Sequence, residues 1–149
     1  MFTSNRFAPQ ALALLRIVSA YLFLLHGTAK LFGVPHVAMF DNLQLMSVPG
    51  VAGILEVVGG LLLLIGLFTR PTAFVMSGFM AVAYFMAHGS QGNVLMPILN
   101  GGELAIMFSF VFLFLSAAGG GAWSVDGARS SSASLRPIAA PQPACRGPR

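Results

Sequence analysis

Residues 50–68 read GVAGILEVVGGLLLLIGLF, an apolar run interrupted by a single carboxylate, Glu56, with Gly53 before it and Gly59 and Gly60 after it. A helix needs roughly 17 to 25 such residues to cross a bilayer. Segments 11–31, 71–87 and 102–118 have the same character. The expected fold is therefore all-α: an integral membrane four-helix bundle over residues 11–118, with a short N-terminal segment at 1–10, a tail at 119–149 and the lipid bilayer as its first partner.

Composition supports this reading. Of 149 residues, 56% are hydrophobic and 8% charged, and the mean hydropathy is +0.83. A soluble domain of this size cannot hide so much apolar surface. The first segment does not read as a cleaved signal peptide, because Arg16 interrupts it and Lys30 and three further spans follow.

Basic residues set the expected orientation, since Lys and Arg stay in short cytoplasmic loops and tails. Arg6, Arg70, Arg129, Arg136, Arg146 and Arg149 fall on one side of a four-span layout, and Lys30 on the other. Both termini are thus expected to be cytoplasmic. The net charge of +4 comes mostly from these arginines, so it is no sign of nucleic acid binding.

The tail is rich in Gly, Ser, Pro and Ala, too polar to order itself, and disorder is expected from about Asp126. Trp123 suits the aromatic belt at the membrane interface. The lone cysteine, Cys145, has no internal disulfide partner and reads as an idle thiol. Between spans one and two, Val37, Phe40, Leu43 and Met46 recur at threes, which predicts a short helix on the outer interface or dipping into the bundle mouth. Thr69-Arg70-Pro71 predicts a tight turn, with Pro71 in the first turn of span three.

At about 100° per residue, Arg16, Ser19, Ala20, Phe23, His26, Gly27 and Lys30 share one stripe of span one. On span two, Gly53, Glu56 and Gly60 share another, and Gly53, Glu56 and Gly59 or Gly60 mark a face where a second backbone approaches closely. Such polar stripes should point inward, away from lipid. Depth arithmetic places Glu56, His26, Lys30, His88, Asn100 and Glu103 towards the outer end as one candidate polar pocket. Arg16 lies roughly 12 Å in depth from Glu56 at 1.5 Å per residue. It either pairs with Glu56 through unequal helix offsets or snorkels to the cytoplasmic surface.

A weak internal repeat accompanies this. Ala20-Tyr21 with His26-Gly27, and Ala83-Tyr84 with His88-Gly89, are each followed by a helix bearing a glutamate, Glu56 or Glu103. Two similar hairpins would be related by an axis along the membrane normal.

Each residue has a plainer alternative. Asn100 reads as a helix N-cap with Glu103 as its acidic N3 partner. Glu56 is either an ion-pair member or a chemical group. His26 and His88 are packing histidines or, less simply, the axial ligands of a haem. His36 reads as solvated. No metal motif, C-x-x-C, H-E-x-x-H or glycine-rich nucleotide loop is present, so no intrinsic cofactor or metal site is expected.

The segments LLRIVSAYLFLLHGTAKLFG, GILEVVGGLLLLIGLFTRPTA, MAVAYFMAH and LNGGELAIMFSFVFLFL, followed by GGGAWSVDG, together resemble the DoxX family of small bacterial inner-membrane proteins. The pattern falls on Arg16, His26, Gly27, Lys30, Glu56, Gly59, Gly60, Arg70, Asn100 and Glu103. The resemblance implies a four-helix subunit in the bacterial plasma membrane. Family relatives resemble the small subunit of a thiosulfate:quinone oxidoreductase, and others associate with superoxide dismutase and a sulfurtransferase in thiol-stress complexes. It further implies a co-catalytic or non-catalytic subunit of such a redox assembly, in which His26, Glu56 and Glu103 bind a quinone head group and relay protons. A structural anchor for a partner protein and a small-molecule transporter stand as the alternatives, although span two is almost unbroken Val, Gly, Leu and Ile beyond Glu56. Glycine faces make a homodimer a further expectation.

Overall fold

Pro9 occupies the first turn of the first helix, where its missing N–H has no helical partner. From there α1 runs over Ala8–Phe32 and closes on Gly33, whose φ of 65° suits a residue without a side chain. The computed structural model describes residues 7–134, and among them the secondary structure is entirely helical. A single 3₁₀ turn, Ala38–Phe40, stands where a short helix was expected in the first connection. Next, α2 covers Val48–Ile65, with the Ser47 hydroxyl accepting from the Gly50 amide and Gly66 closing the helix.

Phe68 then turns the chain in a left-handed conformation and α3 starts at Thr69, with Pro71 in its first turn. It covers Thr69–Ala83 and widens to a π-helix over Tyr84–His88. A short helix, α4 (Pro97–Asn100), precedes α5 (Glu103–Ala118), and α6 covers Val125–Ser134. α1, α2 and the α3 run through His88 are long and apolar enough to cross a membrane; α5 is shorter but apolar. At 1.5 Å per residue these four measure about 37, 27, 30 and 24 Å. The expected spans coincide with them to within three residues at each end.

α1 packs chiefly on α2, and α3 chiefly on α5. Glycines set the first of these distances. A Cβ on Gly53 would lie 3.0 Å from Leu31, one on Gly60 3.1 Å from Leu24, and one on Gly27 2.8 Å from the main-chain nitrogen of Val57. Gly59 faces the other way, against Met76 of α3. Without a hydrophobic force between helices in lipid, such close approach supplies the packing that holds them. Phe23 of α1 joins the two hairpins, standing edge-on to Phe112 at 5.0 Å, Phe108 at 5.5 Å and Phe79 at 6.4 Å. Aromatic pairs of this kind contribute about 0.5–1.5 kcal/mol each beyond area burial. Across α3 and α5, the Ser77 hydroxyl donates to the Ser109 carbonyl, and Ser109 returns the bond to Ser77.

The segment after α5 departs from the expectation of disorder. Residues 119–124 lie across the start of α1, with the Ala122 amide donating to Pro9, and α6 begins where disorder was expected. Composition misleads here because specific main-chain hydrogen bonds, described below, hold the segment in place of apolar burial. The expectations for residues 1–6 and 135–149, including Arg6, Arg136, Arg146, Arg149 and Cys145, lie outside the described residues.

Candidate functional site

The ionisable residues divide between two ends of the bundle. At the end where α1 begins and α5 finishes, Arg16 is fully buried, with 0% exposure. Its Nη1 donates to the carbonyls of Leu63 and Leu64 at 2.6 and 2.7 Å, its Nε to Gly120 at 2.9 Å and its Nη2 to Trp123 at 2.9 Å. Both sequence readings of Arg16 are thereby corrected. It neither pairs with Glu56 nor snorkels; it donates to the last carbonyls of α2, that of Leu64 and that of Leu63, which also accepts from the Gly66 amide at 3.2 Å. The depth separation from Glu56 stands, since Leu63 and Leu64 lie seven and eight residues along α2, roughly 11–12 Å at 1.5 Å each.

Two other charges at this end follow the same helix electrostatics. Arg70 donates to Ala117 and Ala118 at the end of α5. Asp126 accepts from the Phe68 and Thr69 amides at 2.9 and 2.7 Å, at the start of α3. Cations thus meet helix C-termini and an anion meets an N-terminus, each matching the partial charge there. Burial works against ionisation of Asp126, but the Thr69 and Phe68 hydrogen bonds and the Arg129 charge outweigh it and hold the carboxyl below its usual value. Asp126 was missed by sequence reasoning. It sits in GGGAWSVDG, a carboxylate just past the N-cap Ser124, whose hydroxyl accepts from the Gly127 amide.

At the opposite end a cavity of about 340 Å³ lies between the two hairpins. His26, Lys30, Glu56 and His88 line it, together with apolar residues that include Phe23, Phe40, Met80, Leu104 and Phe108. Glu56 lies near the middle of α2, not near its end, because that helix begins two residues earlier and ends three residues sooner than the sequence reading placed it. Its Oε1 meets Lys30 Nζ at 2.5 Å, with the two side chains only 6% and 15% exposed. Its Oε2 is buried without a hydrogen-bond partner. Lys30 Nζ also stands 5.8 Å from the centre of the Phe40 ring, a cation–π contact that draws the 3₁₀ turn over the cavity mouth.

His26 meets Phe108 edge-on at 6.2 Å. His88 stacks on Tyr84, and its Nδ1 lies 3.0 Å from the Asn100 carbonyl. The π-helical turn Tyr84–His88, a geometry frequent at functional sites, sets this pair. Tyr84 donates to Val94 at 2.7 Å and accepts from the Asn100 amide nitrogen at 3.2 Å. Asn100 therefore braces the wall, and Gly102, not Asn100, is the residue preceding α5. The Asn100 side chain accepts from the Gly102 amide, two residues on. Glu103 becomes the first residue of α5, exposed and outside the cavity lining. His36 pairs with Asp41 at 2.8 Å on the surface. Among the described residues no three His, Cys, Asp or Glu side chains group closely enough to hold a metal.

Chemically, the cavity joins an ion pair and two imidazoles to aromatic and aliphatic walls. Phe23, which is 1% exposed and packs edge-on against the buried Phe112, is the lining residue nearest the start of α1.

Residues 11–89 match the DoxX family. The chain is 47% identical over 125 residues to an uncharacterized protein of Haemophilus influenzae, covering 82% of this chain and 92% of that one. It is 32% identical over 115 residues to the inner membrane protein YqjF of Escherichia coli K12, covering 74% and 85% respectively. No solved structure matches it.

Proposed function

The chain belongs to the DoxX family of membrane proteins, and from that premise we propose that it is a subunit of a redox assembly in the bacterial inner membrane, with the cavity as a site for a lipid-soluble quinone-type carrier. The observation that carries this reading is the cavity itself: a Lys30–Glu56 ion pair and His26 and His88 set among Phe23, Met80, Leu104 and Phe108. A carrier of that kind needs apolar walls for its ring and a few polar groups to orient its oxygens, and pockets of roughly 300–1,000 Å³ suit small ligands. With both termini cytoplasmic, as the basic residues imply, the cavity opens towards the extracytoplasmic side. His26 and Glu56 are then placed to pass protons as the carrier changes redox state. Glu103 leaves the mechanism, since it lies outside the lining.

Ala83 lines the cavity and is half-buried, so Ala83→Trp fills it from the rim without removing a polar group. Equilibrium binding of a short-chain quinone to the purified protein is expected to be lost in Ala83→Trp while its melting temperature stays near that of the wild type. Unchanged binding would remove the cavity from the reading.

A second reading, a membrane anchor for a partner such as a superoxide dismutase or sulfurtransferase, draws on α6. Arg16 and Asp126 tie the segment leading into that helix to the spans. Co-purification that persists in Ala83→Trp but fails on deletion of residues from 125 onward would favour it. A through-pathway for solutes is disfavoured by the aromatic plug of Phe23 and Phe112.

A further inference from the structure

One oxygen of Glu56 is committed and the other is not. Oε1 bonds Lys30 Nζ at 2.5 Å, whereas Oε2 is buried with no partner, on a side chain only 6% exposed that lines the cavity. A carboxylate in an ion pair accepts hydrogen bonds and donates none, and a buried acceptor left without a donor is a costly state. We infer that the cavity takes its ring ligand in the hydroxylated, hydrogen-bond-donating form, a hydroquinone in preference to a quinone, with a ring hydroxyl donating to Glu56 Oε2. This rests on the reading of the cavity as a site for a quinone-type carrier, and it adds the redox state that the site selects.

The two forms differ in what they offer. A quinone oxygen only accepts, so it can meet Lys30 Nζ but leaves Oε2 facing a lone pair. A hydroquinone hydroxyl both donates and accepts, so it satisfies Oε2 and still receives a bond from Lys30 or His26. The terminal torsion of a glutamate is broad, which lets the carboxylate turn its second oxygen to the ligand without disturbing the α1–α2 contact. Apolar walls at Phe23, Met80 and Phe108 hold the ring of either form equally, so selection falls to the oxygens. Tighter binding of the reduced form raises the potential of the bound couple, by about 30 mV for each tenfold preference in a two-electron couple.

Three probes sharing one ring test this on the full-length protein in detergent without oxygen: duroquinol, duroquinone and the dimethyl ether of duroquinol. Equilibrium dialysis is expected to show duroquinol bound at least tenfold more tightly than duroquinone, with the ether no better than the quinone because it has lost both donors. Glu56→Leu, which removes both acceptor oxygens, should bring the three affinities together. Should that variant fail to fold, the comparison of duroquinol with its ether on the wild type decides by itself. Equal affinities for the three probes, tighter quinone binding, or a preference that survives in Glu56→Leu would overturn the inference while leaving the cavity a quinone-type site. Binding of none of them would overturn both.

Discussion

The guanidinium of Arg16 donates to the main-chain oxygen of Leu63 at 2.6 Å, across the α1–α2 interface and out of reach of solvent. That bond and its three companions assign Arg16 to the architecture, while the Lys30–Glu56 pair lies further along the same interface beside the cavity. Arg16 and Arg70 thus fasten helix ends, while Lys30 and Glu56 border the cavity.

Arg16→Lys keeps the charge but cannot serve carbonyls on Leu63, Leu64, Gly120 and Trp123 together, because an ammonium lacks the planar fork of a guanidinium. Each buried group left unpaired costs about 1–3 kcal/mol. Thermal unfolding in detergent should show a loss of about 3 kcal/mol or more. Stability within about 0.5 kcal/mol of the wild type would mean that these bonds do not hold the fold.

The lowered carboxyl of Asp126 carries a sign for pH. Its folded value lies below the unfolded 3.8, so the stabilisation from Phe68 and Thr69 is fully present above that value and is lost as pH falls through the lower folded one. Melting temperatures of the wild type and Asp126→Asn, compared from pH 7 down to pH 3, should converge at the acid end. A gap that holds constant over the range would show that the charge of Asp126 contributes nothing.

Lys30 and Glu56 should behave as a coupled pair. Removing either partner from a buried ion pair leaves an uncompensated charge and costs about 3–5 kcal/mol, whereas replacing both is far milder. The double variant Lys30→Met with Glu56→Gln is therefore expected to melt above either single one. Additive losses would show that the contact carries no energy of its own.

Two glycines give a matched comparison. A Cβ on Gly27 would press on the main chain of Val57 at 2.8 Å, which cannot yield, while one on Gly78 meets nothing within 4 Å. Gly27→Ala should destabilise by about 1–3 kcal/mol through overpacking, and Gly78→Ala should be neutral or stabilise by up to about 1 kcal/mol through helix propensity. Urea or thermal unfolding of both variants checks the contrast, and a tolerant Gly27→Ala would contradict the close α1–α2 packing.

Much of the fold was legible because hydrophobic run length reports directly on membrane crossing: residues 50–68 alone located α2 to within three residues. The depth of Arg16 relative to Glu56 was legible too, since helical rise is fixed. The partners of Arg16 were not, because main-chain carbonyls occur at every residue and leave no mark in a sequence; Gly120 and Trp123 lie over a hundred residues away. Asp126 was hidden for a related reason, as its role depends on a turn 57 residues earlier. Depth arithmetic grouped His26, Lys30, Glu56 and His88, all four of which line the cavity. It also drew in Glu103, which is exposed and lies outside the lining.

Photo-affinity labelling with an azido-quinone, followed by mapping of the modified peptides, tests the central claim most directly, that the cavity beside Lys30 and Glu56 is the ligand site. Label is predicted on the lining of that cavity, at Phe23, Met39, Phe40, Met80, Leu104 or Phe108, with competition by unlabelled short-chain quinone and loss of label in Ala83→Trp. Label confined to the outward apolar groove between α2 and α3, at Leu55, Val58, Leu62 or Val75, or spread over the lipid-facing surface without competition, would contradict it.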